Sequence, residues 1–179
     1  MIICVVGDTH GEIENLRKAF RKAVNSLHAE TFIHLGDDYD DMKAVESGGT
    51  EVIQVPGIFS SYYQKNKPEN RIICTFGGWK FLLSHTPVTD AKDLPTDKDP
   101  QITAQSDVVD VLLHAHTHIP EIATEPGYIR INPGNLRQKD KKGYPPTFCI
   151  LDPQPNTLDV KVYQLYSDQV FLSRKFTKQ

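Results

Sequence analysis

The run Ile2-Ile3-Cys4-Val5-Val6, followed at once by Gly7-Asp8-Thr9-His10-Gly11, constrains the fold more than any other stretch. Five apolar residues without polar alternation fit a strand covered on both faces, as inside an α/β sheet. The pattern then repeats. Residues 12–27 carry Ile13, Leu16, Phe20, Ala23, Val24 and Leu27 at helical spacing, with Glu12 and Glu14 suited to the helix N-terminus. A second apolar run, Thr31-Phe32-Ile33-His34-Leu35, ends in Gly36-Asp37-Asp38. A short helix over 39–47, stopped by Gly48-Gly49, leads to a strand over 51–55 that breaks at Pro56-Gly57. This β-α-β-α-β order predicts a parallel sheet with right-handed crossovers.

Beyond a polar stretch at 62–70, two strand-like runs at 71–76 and 79–83 flank Gly77-Gly78 and predict a hairpin that ends at Ser84-His85. The Pro- and Asp-rich segment 86–100 predicts an exposed loop, with Asp99-Pro100 opening a short helix. A strand over 108–113 runs into His114-Ala115-His116-Thr117-His118. Runs at 121–124 and 128–131 form another hairpin before Asn132-Pro133-Gly134-Asn135, and strands at 147–151, 158–165 and 170–175 close the chain. The antiparallel second half predicts two sheets packed face to face with helices outside.

A chain of 179 residues with 39% hydrophobic content supports one sizeable core and is short for two domains, so a single domain over 1–179 is expected. The net charge of −3 provides no basic field to attract nucleic-acid backbones. Cys4, Cys74 and Cys149 all lie in apolar runs, which reads as buried free thiols in a reducing compartment. No basic region precedes the first apolar run, and no apolar segment approaches ~18 residues, so a cytoplasmic protein without membrane insertion is expected. The sequence holds no repeat or low-complexity segment.

Asp8, His10, Asp37, His85, His116 and His118 fall at the ends of four separate apolar strands. If extended backbone persists to His10, Asp8 and His10 point the same way, and His116 and His118 repeat that i, i+2 spacing. Ligands gather beyond the carboxyl ends of such strands. One strand-end histidine is ordinary loop polarity; four histidines and two aspartates placed alike read as a shared cluster. Imidazole with carboxylate suits Mn, Fe, Ni, Co or Zn. Five or six donors exceed one tetrahedral site, which points to two metals sharing a carboxylate.

Gly7-Asp8-Thr9-His10-Gly11, Leu35-Gly36-Asp37, Ser84-His85 and His116-Thr117-His118 resemble, in order and spacing, the successive motifs of the calcineurin-like metallophosphoesterases. The short chain is similar to the small bacterial and archaeal phosphodiesterases of that superfamily, to which Vps29 is related. The resemblance runs from residue 1 to about 137. It implies a four-layer αββα sandwich, two mixed sheets flanked by helices, around a two-metal centre with manganese as the leading candidate. Carried over, Asp8, His10 and His118 hold one metal, Asp37 bridges, and His85 and His116 hold the other. Asp37 and His85 become the catalytic positions, and Asp40 matches the second Asp of the family's Gly-Asp-x-x-Asp pattern, behind the ligands. The implied reaction is hydrolysis of a small phosphodiester or other phosphate ester, through a water whose pKa two cations lower towards ~7 for in-line attack. The resemblance leaves a homo-oligomer open.

One departure stands out. After the third strand the family carries Gly-Asn and then His or Cys; this chain has Gly57-Ile58-Phe59-Ser60. Ile58 cannot ligate and Phe59 cannot protonate a leaving group, so general-acid help worth roughly 10²–10⁴ in rate is missing. Ser60, Ser61 or Asn66 are the candidates to fill the gap. The same loss suits the alternative reading, an interaction module of the Vps29 kind with weak or no catalysis. Among the remaining residues, His34 and His114 are expected to be buried structural imidazoles and His28 a surface residue. Asp38 and Asp41 crowd Asp37 but are expected to be solvated. Asn132-Pro133-Gly134-Asn135 is expected to shape the loop behind the site, Arg137 is an exposed residue with phosphate contact as its other reading, and Tyr62 and Tyr63 line either a pocket or a partner surface.

Overall fold

Ile3 and Val5 of β1 (Ile3–Val6) face one apolar layer, while Cys4 and Val6 face another. A strand buried on both sides needs an uninterrupted apolar run for that reason. The computed structural model describes residues 1–167 and 169–178. α1 (Ile13–Arg21), prolonged by a wider turn over Lys22–Ser26, leads to β2 (Thr31–His34), and a 3-10 turn over Tyr39–Ala44 leads to β3 (Glu51–Gln54). Strands β1, β2 and β3 pair in parallel, as the β-α-β-α-β order requires.

The chain then builds a second sheet. α2 (Ser61–Asn66) lies in the polar stretch that carried no periodic signal; Tyr63 is its one buried residue. β4 (Arg71–Phe76) and β5 (Trp79–Ser84) form the expected Gly-Gly hairpin. α3 (Pro100–Thr103) is capped by the Asp99 carboxylate, which accepts from the Ile102 N–H, and a wider turn follows over Ala104–Val108. β6 (Val111–Leu113), β7 (Glu121–Glu125) and β8 (Tyr128–Asn132) complete a sheet of order β4-β5-β6-β8-β7. The last strands, β9 (Thr147–Gln154), β10 (Thr157–Gln164) and β11 (Val170–Thr177), return to the first sheet, whose order is β11-β10-β9-β1-β2-β3.

Two expectations need correction. The strand read over 108–113 is only three residues long, because the helical path of α3 continues to Val108. The second half is not simply antiparallel. β5 pairs parallel with β6 and β6 with β8, since α3 and then β7 carry the chain back before each new strand begins. Both sheets are therefore mixed.

The layers follow from side-chain alternation. Ile33, Phe81, Leu83, Val111, Leu113, Cys149, Leu151 and Val160 fill the space between the sheets. Leu16, Ala19 and Phe20 of α1 cover Cys4, Val6, Phe32, Phe148 and Ile150 on one outer face. Ala104 and Val109 cover Leu82 and Leu112 on the other. This is the four-layer αββα arrangement, with a thin outer layer on the α3 side. Cys4 and Cys149 are buried and Cys74 is half-buried, all three as free thiols. Among the described residues no helix is long and apolar enough to cross a membrane.

The two sheets touch at the end where the polar turns gather. A Cβ placed on Gly7 would sit 2.6 Å from the Ala115 Cβ, so glycine after β1 lets that turn approach the turn after β6. The Ala115 N–H donates to the His85 carbonyl at 2.9 Å, and the Asp8 N–H to the Gly36 carbonyl at 3.1 Å. Four strand ends are thus stitched together by backbone hydrogen bonds before any side chain is considered.

Candidate metal centre

All six sequence-predicted residues lie at this end, after β1, β2, β5 and β6. The expectation that extended backbone carries Asp8 and His10 side by side does not hold. Asp8 (φ 50°) and His10 (φ 49°) are both left-handed, as are Asp37 (φ 98°), His116 (φ 68°) and His118 (φ 61°). Left-handed backbone is uncommon outside glycine and costs on the order of 1–3 kcal/mol per residue, so surrounding structure must hold it. The turns leave each strand abruptly and aim the polar side chains inward. Such strain concentrated in one cluster marks a functional site.

The side chains meet. Donor atoms of Asp8, His10 and His118 lie within 4.8 Å of one another, and so do those of Asp8, Asp37 and His85. Asp8 is common to both groups. The His10 Nδ1 is 2.7 Å from the Asp37 Oδ2, so Asp37 also touches the first group. The His10 Nε2 is 2.9 Å from the His118 Nε2, and the His116 Nδ1 is 3.2 Å from the His85 Nε2.

The far side of each ring explains why these nitrogens face one another. The His85 Nδ1 donates to the Leu35 carbonyl at 2.8 Å, leaving its Nε2 lone pair inward. The His118 Nδ1 donates to the Asp140 Oδ1 at 2.5 Å, which does the same for its Nε2. With the His10 Nδ1 committed to Asp37, the Nε2 atoms of His10 and His118 direct two lone pairs at a common point. A cation resolves that opposition, and imidazoles held by a carboxylate or carbonyl on the other nitrogen are the usual dress of metal ligands.

The carboxylates tell the same story. Burial pushes the Asp8 carboxyl well above its ordinary range, and the neighbouring Asp37 pushes it further. The one hydrogen bond that opposes this comes from the His116 N–H at 2.8 Å. A buried carboxylate so placed calls for a cation. Burial alone would raise Asp37 too, but the His10 hydrogen bond and the histidines around it hold it below its ordinary value. Burial lowers His85 to about 3 and lowers His116, so both rings are neutral and free to ligate near neutral pH. The donor set, two carboxylates and four imidazoles, fits divalent transition metals.

Several supporting residues were expected, and others were not. His34, buried and lowered to about 4 by that burial, accepts from the Gly36 N–H at 3.3 Å and reaches the Thr9 hydroxyl at 2.7 Å, tying the β1 and β2 turns together. His114 is buried, with its Nδ1 on the Ala115 carbonyl at 3.0 Å. The Asn132 amide donates to the Ala115 carbonyl and the Thr117 hydroxyl, and the Asn135 amide to the His118 carbonyl at 3.3 Å, so the Asn-Pro-Gly-Asn turn does shape the histidine loop. Arg137 is half-exposed, and its backbone N–H donates to Asn135. His28 is exposed, as expected.

Asp40 is not behind the site. It is exposed and pairs with Lys43 at 2.8 Å; Asp41 instead accepts the Gly11 N–H at 3.2 Å. Asp38 and Asp41 are both raised, first by burial, and the Asp37 charge adds to each. Tyr63 is fully buried, with its hydroxyl on Asp97. Tyr62 stacks on Tyr39 with ring centroids 4.4 Å apart. Ile58 is fully buried, Asn66 turns back on the Tyr62 carbonyl, and Ser61 is exposed at the start of α2. The side chain that this loop does bring to the cluster is Phe59, whose ring lies 6.4 Å from that of His116. Asp140 was not anticipated. It sits among Lys139, Lys141 and Lys142, where sequence shows only a charged loop.

Comparison with known proteins agrees with this fold. The sequence model described as the calcineurin-like phosphoesterase superfamily domain matches residues 1–156. The phosphoesterase Yfce of E. coli superposes with a TM-score of 0.72 at 19% identity, covering 97% of this chain and 98% of that one. A zinc complex of Vps29 from Entamoeba histolytica gives 0.66 at 21% identity over 99% of this chain and 99% of the other. An archaeal phosphodiesterase gives 0.65 at 21% identity over 99% and 100%. At these identities the superpositions speak for the fold.

Proposed function

Because the chain belongs to the calcineurin-like phosphoesterase superfamily, we propose that it is a metal-dependent phosphoesterase acting on small phosphodiesters. The observation that carries this reading is the pair of adjoining donor groups, Asp8-His10-His118 and Asp8-Asp37-His85, with the Asp37 Oδ2 also 2.7 Å from the His10 Nδ1. In this reading Asp8, His10 and His118 hold one divalent cation, Asp37 bridges, and His85 and His116 hold the second, with manganese preferred. Bound there, the cations supply Lewis-acid polarisation of the ester and a water-derived nucleophile at neutral pH. The chain's own residues do the rest. The Leu35 carbonyl and Asp140 keep the protons of His85 and His118 on Nδ1. His34 and Thr9 fix the turns that carry Asp8 and Asp37 against each other. No acid stands at 58–59, so the leaving group departs without a proton from that position.

The likeness to an archaeal phosphodiesterase and to a bacterial phosphoesterase supports the substrate class. A docking platform is the second reading, favoured by the apolar Ile58-Phe59 pair in place of a ligand and an acid.

The test is metal content of the purified protein together with manganese-stimulated hydrolysis of an aryl phosphodiester. Asp37→Ala is expected to abolish that activity, whereas His28→Ala, exposed and distant in role, is expected to retain it. Equal residual activity in the two variants, at matched folding, removes the cluster as the catalytic centre. No hydrolysis by the wild type with any divalent cation leaves the docking platform.

A further inference from the structure

Phe59 is 66% exposed, between Ile58 at 1% and Ser60 at 8%. The loop that presents it is pinned. The Ser60 N–H donates to the Gly57 carbonyl at 3.0 Å, and the Gln64 amide donates to the Ile58 carbonyl at 3.0 Å and to the Lys92 carbonyl at 2.9 Å. An aromatic ring is therefore held in solvent by a fixed backbone rather than left there by a loose one. The ring runs nearly parallel to His116, at 26°, and His116 meets His85 edge-on with centroids 5.0 Å apart. Phe59 thus continues the surface of the metal-ligand candidates outward. The other exposed ring of this loop, Tyr62, is already covered by Tyr39 at an interplanar angle of 5°. Phe59 is the more open of the two, at 66% against 36%.

We infer that Phe59 is a stacking platform for the leaving group, and that the substrates are phosphodiesters whose leaving group is a planar aromatic oxide. The inference rests on the phosphoesterase reading of the centre and narrows its substrate class. Two independent requirements meet in one ligand. An exposed ring beside a polar site favours a flat π-system, by offset stacking as well as by apolar burial. A site with no proton donor at 58–59 favours a leaving group whose oxygen is weakly basic, and conjugation with an aromatic ring lowers that basicity. In the step itself the P–O bond to the aryl group breaks, a new P–O bond forms to the oxygen of a water whose proton passes to solvent, and the aryl oxide leaves with the electron pair.

Equilibrium binding of phenylphosphonate and cyclohexylphosphonate to the manganese-loaded protein, followed by calorimetry, separates planarity from size and charge. The wild type is expected to bind the phenyl compound a few-fold to about tenfold more tightly. Phe59→Ala is expected to erase the preference, and Phe59→Trp to keep it. In hydrolysis, aryl and fluoroalkyl diesters matched in leaving-group acidity should differ in KM in the wild type and not in Phe59→Ala. A phenyl preference without turnover keeps the stacking platform and removes the phosphoesterase reading. Turnover with equal binding of the two phosphonates, a preference that survives Phe59→Ala, or binding of neither phosphonate overturns the inference.

Discussion

Asp140 decides which nitrogen of His118 carries the proton. Its Oδ1 accepts from the His118 Nδ1 at 2.5 Å while the Lys142 N–H holds its Oδ2 at 2.6 Å. Burial would raise the Asp140 carboxyl, but those two bonds bring it below its ordinary value, so it is ionised and a strong acceptor. Replacing the carboxylate by an amide of the same shape weakens the acceptor and frees the ring to turn or change tautomer. Partners of this kind typically contribute 10- to 100-fold to metal affinity. Asp140→Asn is therefore expected to weaken divalent-cation binding by roughly 10- to 100-fold, measured by competition with a chromophoric chelator. Unchanged affinity would show that Asp140 holds the loop and not the ligand. Sequence offered no route to this residue, because an aspartate among lysines reads as a solvated turn.

At the scale of elements, the centre depends on how closely the ends of β2 and β3 approach. A Cβ on Gly57 would lie 2.5 Å from the Asp37 Cα and 2.6 Å from its backbone N and O. All three are main-chain atoms and cannot rotate aside. Gly57→Ala is expected to push the Asp37 turn outward. Misplacement of about 1 Å at a catalytic group costs on the order of 10²-fold in rate. Cation-dependent hydrolysis should fall by about that factor while far-ultraviolet circular dichroism stays unchanged; full activity would mean that the turn is not rigid. The strands behind these turns were legible, since β1 and β2 are apolar runs closed by Gly-Asp and a buried parallel strand has no other appearance. The turns themselves were not. Period-2 reasoning placed Asp8 beside His10 on extended backbone, where left-handed residues do that work. α2 escaped because one buried Tyr63 gives no period, and the strand read over 108–113 began three residues early because an apolar run does not mark where a helical path gives way to a strand.

At the scale of the whole molecule, the site stores a cost that a cation removes. Asp8 is buried beside Asp37, and paired imidazole nitrogens face one another at 2.9 and 3.2 Å. Binding only to the folded chain at 100 times Kd adds about 2.7 kcal/mol per site. For a chain of this length each kcal/mol moves Tm by about 2–4 °C, so saturating manganese should raise Tm by roughly 5–10 °C per filled site at pH 7. Chelation should return the protein to its lower value. Acid works against both forms. Burial holds His34 at about 4 and His85 at about 3, whereas an unfolded histidine takes its proton near 6.5. Between those values the unfolded chain binds protons that the folded chain refuses, so stability falls as pH drops from about 6.5 towards 4. Asp8, raised in the fold, takes up its proton early and partly offsets this loss. Protons also compete with the cation for its ligands. Differential scanning calorimetry at pH 7 and pH 5, with manganese and with chelator, should therefore show a lower Tm at pH 5 in both conditions and a smaller manganese shift there. A Tm at pH 7 that manganese and chelator leave equal would separate the six-residue cluster from metal binding altogether.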